Sequence, residues 1–187
     1  MKHNVLVYGF VALLTALYPI VIYYGLNQYG PRALALLLFL VLLVRSFYWK
    51  AFKISEKLFY LLLVGTLCAL AAWFESELML RYYPVLMNFG IASFFAFSLF
   101  TEQPLIERLA SLMQTELNSS ARCYMRRLTL VWAGLLTVNG IISSYTACCL
   151  PLKQWAFYNG VIAYLIFAVF SLGELIVRHY YKKRYPL

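Results

Sequence analysis

Two acidic residues and an arginine stand close together in a short polar stretch of an otherwise apolar sequence. Glu75, Glu77 and Arg81 lie between two long apolar runs. Carboxylates near a guanidinium are residue types that general acid–base catalysis uses, and the same residues also form ion pairs in solvated loops. The sequence contains no phosphate-binding glycine loop, paired-histidine zinc helix or serine nucleophile elbow. We therefore expect no cofactor or metal and no defined set of catalytic residues.

The apolar runs contain few polar side chains, and three of these are candidate sites. Asn88 and Asn139 each fall inside an apolar run, and Glu174 is the one acid within such a run. An amide in apolar surroundings seeks hydrogen bonds across helices, so the asparagines either join helices or form a polar spot in a lipid-binding groove. Glu174 stands four residues before Arg178, which favours a local ion pair over a proton carrier.

The composition indicates a membrane protein. Apolar residues make up 64% of the 187 positions and charged residues 12%, which is more apolar surface than a soluble core absorbs. A membrane-spanning helix needs about 20 mostly apolar residues. The sequence offers six such segments, at 4–24, 31–48, 58–75, 82–100, 128–150 and 156–177. It therefore predicts an all-α, polytopic membrane helix bundle that forms a single integral membrane domain over residues 1–187.

Two of these segments have a special feature. The first contains Tyr18-Pro19, and the proline predicts a kink there because it removes a backbone donor. The second has a short apolar run, and it reaches full length if Arg32 and Arg45 extend their charged ends toward the headgroups. The sequence leaves open whether 31–48 crosses the bilayer fully.

The positive charges predict the orientation of the bundle. Thirteen of the sixteen Lys and Arg residues fall on one side of the six segments, namely Lys2, Arg45, Lys50, Lys53, Lys57, Arg108, Arg122, Arg126, Arg127, Arg178, Lys182, Lys183 and Arg184. Arg32, Arg81 and Lys153 fall on the other side. Cytoplasmic loops carry the excess of Lys and Arg, so both termini are predicted to be cytoplasmic. Because orientation explains the net charge of +9, we expect no nucleic-acid partner.

Part of this cytoplasmic charge predicts a contact surface. Clustered basic residues next to a membrane attract anionic lipid headgroups, and they also suit contacts with membrane protein partners. The candidate residues are Arg108, Arg122, Arg126, Arg127, Lys182, Lys183 and Arg184. The sequence sets no oligomeric state, and a homo-oligomer is compatible with it.

The cytoplasmic loop at 101–127 contains the pattern of a short amphipathic helix. Thr101 is a suitable cap, and Pro104 suits a first helical turn. Apolar residues then recur at helical spacing, at Leu105, Leu109, Leu112 and Met113, with Glu107 and Arg108 elsewhere on the wheel. Such a helix lies on the inner membrane surface or packs beneath the bundle, and the sequence favours neither arrangement.

The motif in this loop is specific enough to compare with known families. It reads Pro104-Leu105-Ile106-Glu107-Arg108, and it is followed by Arg127-Leu128-x-Leu130-x-Trp132, Asn139, Trp155, Phe157 and Gly160. These motifs, in this order, resemble those of the bacterial intracellular septation protein A family. Thr129 and Tyr158-Asn159 depart from the family pattern. The chain thus resembles a divergent branch, similar to predicted membrane proteins encoded beside aryl-polyene or fatty-acid-like biosynthesis genes.

The resemblance implies a small multi-pass protein in the inner membrane of Gram-negative bacteria, with no established catalytic activity. It also implies a role in cell-envelope integrity and septation through contacts with wall-synthesis proteins. The leading prediction is therefore a non-enzymatic accessory protein in envelope, septation or lipid-linked biosynthesis. The alternatives are a carrier or flippase for a lipid or aryl-polyene-like hydrophobic product, and a membrane enzyme that acts on a lipid.

Overall fold

The computed structural model describes residues 17–48, 54–111 and 119–184, and nearly all of them are helical. In chain order the helices are α1 (Tyr18–Tyr48), α2 (Ile54–Trp73), α3 (Glu77–Arg81), α4 (Tyr83–Ser98), α5 (Leu105–Ser111), α6 (Ser119–Cys149), α7 (Leu152–Phe157) and α8 (Ala163–Arg184), with a π-helical turn at Tyr158–Ile162. No strand occurs in these three ranges, and the predicted all-α class is confirmed.

Two helical stretches are long and apolar enough to cross a membrane, by length and composition. They are Ala121–Cys149, within α6, and Leu152–Arg178, which runs through α7, the π-helical turn and most of α8. Two further apolar helices, Gln28–Val44 and Lys57–Trp73, are shorter. In the most apolar 18 residues of Leu152–Arg178, 6% of the residues are buried inside the protein. Most apolar side chains of the last helix thus face outward.

The helices follow the predicted segments with different bounds. α6 begins at Ser119 and not at 128, so residues 119–127 of the predicted cytoplasmic loop belong to the helix. Residues 4–16 of the first predicted segment lie outside the described residues. So do Lys2, Lys50, Lys53 and the 112–117 part of the predicted amphipathic helix.

α1 bends at Gly30, a position that the sequence analysis did not single out. Gly30 has φ 68° and ψ 168°, a backbone conformation that is essentially limited to glycine. Pro31 follows it and lacks the N–H that would continue the helical hydrogen bonds. Pro19 lies in the first turn of the described helix, where proline is tolerated. The Gly30-Pro31 kink therefore separates the stretches that the sequence predicted as the first two spans.

The buried core lies where α1, α2, α3 and α7 meet. Trp155 is fully buried there, and its Nε1 donates a hydrogen bond to Arg81 O at 3.1 Å. Ile22, Ala71 and Leu80 surround the same region and are completely buried. The buried Trp155 side chain thus fixes the position of α7, and the π-helical turn begins directly after this helix.

α4 and α6 pack closely because of a glycine on α6. A β-carbon on Gly140 would lie 3.2 Å from Asn88 Cβ and 3.1 Å from the Phe89 ring, closer than side chains normally pack. Small residues allow helices to approach in this way. The close approach brings Asn88 of α4 next to Asn139 of α6.

Candidate functional site

A cavity of about 270 Å³ lies between α1, α4, α6 and the start of α8. Its polar lining consists of Asn88, Asn139, Asn159, Tyr18, Tyr83 and Tyr164, and the rest of the lining is apolar. Among the described residues that line it, none carries a charge. Tyr164 is 41% exposed, so this wall of the cavity reaches the outer surface of the bundle.

A line of hydrogen bonds joins three elements at the wall of the cavity. The Tyr158 hydroxyl donates to Asn139 Oδ1 at 2.7 Å, and Asn139 Nδ2 donates to Asn88 Oδ1 at 2.9 Å. Asn88 Nδ2 in turn donates to Pro84 O at 2.8 Å. The relative exposures of Asn88 and Asn139 are 8% and 3%. The two asparagines thus join helices and also border the cavity.

The third asparagine of the cavity wall belongs to a separate network. Asn159 Oδ1 accepts a hydrogen bond from Ser143 Oγ at 2.6 Å. Asn159 Nδ2 donates to Thr146 Oγ1 at 3.1 Å and to Trp155 O at 3.0 Å. Asn159 and Tyr158 both lie in the π-helical turn, a rare conformation that recurs at functional sites.

Sequence reasoning singled out Asn88 and Asn139 and missed Tyr158 and Asn159. Asn88 and Asn139 stand deep in their apolar runs, where an amide is conspicuous. Asn159 stands near the start of the predicted segment 156–177, where a polar residue at the membrane interface is ordinary. The π-helical turn, which has no sequence signature of its own here, brings Tyr158 and Asn159 to α6.

The acidic residues that suggested catalysis are paired separately with two arginines. Glu75 Oε1 lies 2.8 Å from Arg32 Nη2, and Glu77 Oε1 lies 3.0 Å from Arg81 Nε. The side chains of Glu75 and Glu77 are 56% and 45% exposed. This arrangement is that of two surface ion pairs, and neither glutamate lines the cavity.

Glu174 has a different partner from the predicted one. Its Oε1 accepts a hydrogen bond from the Tyr124 hydroxyl at 3.3 Å, which ties α8 to α6. Within the described ranges Glu174 forms no ion pair with Arg178, so the predicted local pair is wrong. The helical spacing was right, but a tyrosine of the neighbouring helix reaches the carboxylate.

Two of the candidate basic residues contact the protein itself. Arg122 Nε lies 3.5 Å from Glu107 Oε1, and Arg126 Nη2 donates to Leu99 O at 2.8 Å. Glu107 is buried, although the helical wheel placed it away from the apolar face. Arg127 is exposed and Arg108 is half-buried, whereas Lys182, Lys183 and Arg184 occupy the end of α8. These contacts hold α5 and the end of α4 against the start of α6.

The residues of the family-like motifs lie mainly in packed positions. Pro104, Leu105 and Trp155 are buried, and Ile106 is half-buried. Leu105 N donates to Ser98 Oγ at 2.9 Å, so Ser98 performs the capping that was expected of Thr101. The Trp132 ring packs against the Phe170 ring with a centroid distance of 4.9 Å. These positions indicate packing roles.

No protein-family model, curated protein or solved structure matches this chain.

Proposed function

We propose that this protein is a non-enzymatic accessory protein of the bacterial inner membrane that holds a neutral lipid between its helices. The observation that carries the proposal is the cavity beside Asn88 and Asn139, whose described lining residues carry no charge. Ligand sites are concave, mostly apolar and provided with a few polar groups that orient the ligand. A lipid bilayer is the natural source of a ligand for such a site.

The proposal includes six spans with both termini in the cytoplasm. The apolar, outward-facing side chains of α8 support membrane residence. The distribution of basic residues along the sequence supports the orientation. In this arrangement the ion pairs of Glu75 and Glu77 belong to the periplasmic side, and Arg126 belongs to the cytoplasmic side.

The geometry favours lipid binding over the enzyme alternative. Glu75 and Glu77 are each occupied by an arginine at the surface, and the cavity lining contains no acid or base among its described residues. A pump would need a titratable group along its path. A lipid carrier needs an apolar site with sparse polar contacts, which the cavity provides.

The resemblance to septation protein A supports the biological setting of the proposal, which is envelope, septation or lipid-linked biosynthesis. In that setting the bound lipid is a substrate or product that the protein presents to membrane protein partners. The basic residues on the cytoplasmic side provide the contact with anionic headgroups or with those partners.

The test is to fill the cavity and measure the lipid that co-purifies. Ala163 is buried in the cavity wall, and Ala163→Phe places a ring in the space that a ligand would use. Ala168→Phe is the matched control, since Ala168 is exposed on the same helix and lies outside the lining. We expect mass spectrometry of extracted protein to find neutral lipid with the wild type and with Ala168→Phe, and little with Ala163→Phe. Equal lipid content in the two folded variants would refute the proposal.

A further inference from the structure

The asparagines of the cavity differ in how many of their hydrogen-bond donors are used. A side-chain amide carries two N–H donors. Asn159 Nδ2 makes two hydrogen bonds, to Thr146 Oγ1 and Trp155 O, and is saturated. Asn88 Nδ2 makes one, to Pro84 O, and Asn139 Nδ2 makes one, to Asn88 Oδ1. Among the described residues, the second N–H of Asn88 and of Asn139 therefore has no acceptor.

The two asparagines that carry these N–H groups are buried at the cavity wall. Asn88 is 8% exposed and Asn139 is 3% exposed, and both line the cavity. A buried donor without an acceptor costs free energy, so native structures usually provide one. An acceptor atom in the cavity would complete both amides, whereas Asn139 Oδ1 and Asn88 Oδ1 each accept one hydrogen bond already and are satisfied without a ligand.

The absence of charge in the described lining narrows the class of ligand. A phosphate or carboxylate would be desolvated there without a cation, and an ammonium group would be desolvated without an anion. A neutral carbonyl oxygen is a strong acceptor that needs no counter-charge. Resting on the proposed function, we infer that Asn88 and Asn139 recognise the carbonyl oxygen of a neutral lipid, such as a glyceride ester or a quinone ring.

The size of the cavity fits the polar end of such a lipid. A volume of about 270 Å³ corresponds to roughly nine water molecules at about 30 Å³ each. This space holds a ring or an ester group, and the hydrocarbon tail must lie outside. Tyr164 and Phe167 form the side of the cavity on α8, and Tyr164 is 41% exposed at the outer surface of that helix. The tail thus leaves the cavity past Tyr164 toward the bilayer.

The test compares pairs of lipids that differ in the carbonyl group. The protein in lipid nanodiscs is labelled with a photoreactive diacylglycerol, and competitors are added. One pair is diacylglycerol and its dialkyl ether counterpart, and the other is an isoprenoid benzoquinone and the matching polyprenol. We expect wild-type protein to prefer the carbonyl member of one pair about fivefold, the effect of one hydrogen bond. The pair that shows this preference identifies the source of the carbonyl.

The variant is Asn88→Leu, which keeps the size of the side chain and removes its N–H donors. It keeps the Tyr158–Asn139 hydrogen bond, which does not involve Asn88, and it removes the hydrogen bonds of Asn88 to Asn139 Nδ2 and to Pro84 O. We expect Asn88→Leu to lose most of the preference and to keep its affinity for the carbonyl-free lipid. Asn88→Ser is the second variant if Asn88→Leu does not fold.

The possible failures are distinguishable. Wild-type protein that binds both members of each pair equally overturns this inference and leaves the proposed function standing. Protein that binds none of the four lipids overturns both. A separate experiment places cysteines at Leu13 and Ala163 in a chain that lacks its native cysteines. A disulfide between them would mean that the N-terminal segment occupies the cavity, and it would overturn the inference.

Discussion

At the residue scale, three arginines of this chain serve the ends of helices. Arg32 Nε donates to Ala72 O, near the end of α2, and Arg126 Nη2 donates to Leu99 O, just after α4. Arg81 Nη1 donates to Ala147 O and Leu150 O, at the end of α6. The last carbonyls of a helix lack partners within it and carry partial negative charge. The three arginines supply the hydrogen-bond donors and the positive charge that these helix ends lack.

Arg81 should therefore contribute more to stability than Arg32, although both pair with a glutamate. The Arg81 side chain is 13% exposed and bonds two carbonyls, whereas the Arg32 side chain is 66% exposed. We expect Arg81→Met to lower the free energy of unfolding by about 2 kcal/mol, because buried carbonyls lose a charged donor. Arg32→Met should cost less than about 1 kcal/mol, since its interactions are screened by solvent. Unfolding in detergent micelles measures both, and equal losses would contradict this reasoning.

At the element scale, the length and apolarity of the segments predicted most of the described helices. Residue types predicted their irregularities less well, because these depend on neighbours. The kink suggested by Pro19 falls at the edge of the described residues, and within α1 the bend occurs at Gly30, which residue type alone did not single out. α6 extends back to Ser119 into a region that reads as a loop, where Arg122 and Arg126 hold it against α5 and the end of α4.

The candidate site, like the helix irregularities, could be predicted from the sequence only in part. The positions of Asn88 and Asn139 in apolar runs were sufficient to select them as polar candidates. Their hydrogen bond depends on the close approach of α4 and α6 at Gly140, and that approach is a property of the packed pair of helices. The π-helical turn that adds Tyr158 and Asn159 was not predictable from periodicity.

The kink of α1 gives the prediction at this scale. Gly30 has open space around its α-carbon, so an added methyl group meets only the strain of a positive φ. We expect Gly30→Ala to lower the free energy of unfolding by about 1 kcal/mol or more. Gly134→Ala, in the helical interior of α6 with equal space around it, should leave stability unchanged or raise it by up to about 1 kcal/mol. Thermal unfolding of the two variants measures the contrast, and stabilisation by Gly30→Ala would show that the kink is not strained for alanine.

At the scale of the whole molecule, the proposed function depends on how the chain crosses the membrane. α6 is the longest straight apolar element among the described residues, and α4 packs closely on it. Arg122 and Arg126 belong to its first turns, and Arg81 binds the carbonyl groups at its end. If α6 spans the bilayer, its orientation decides which compartment each end of the cavity faces. It also decides on which side of the membrane the ion pairs and the basic surface lie.

Native cysteines at both ends of α6 allow this to be tested directly. Cys123 and Cys149 are exposed, and the 26 residues from 123 to 149 rise about 39 Å along a helix, more than the bilayer core of about 30 Å. We expect a membrane-impermeant maleimide on intact cells to label a chain that keeps Cys149 alone and to spare one that keeps Cys123 alone. Permeabilised cells should label both. A chain with the buried Cys68 alone is the control for nonspecific access. Labelling of Cys123 in intact cells, with Cys149 protected, would reverse the proposed orientation; equal labelling of both would mean that α6 does not cross the membrane.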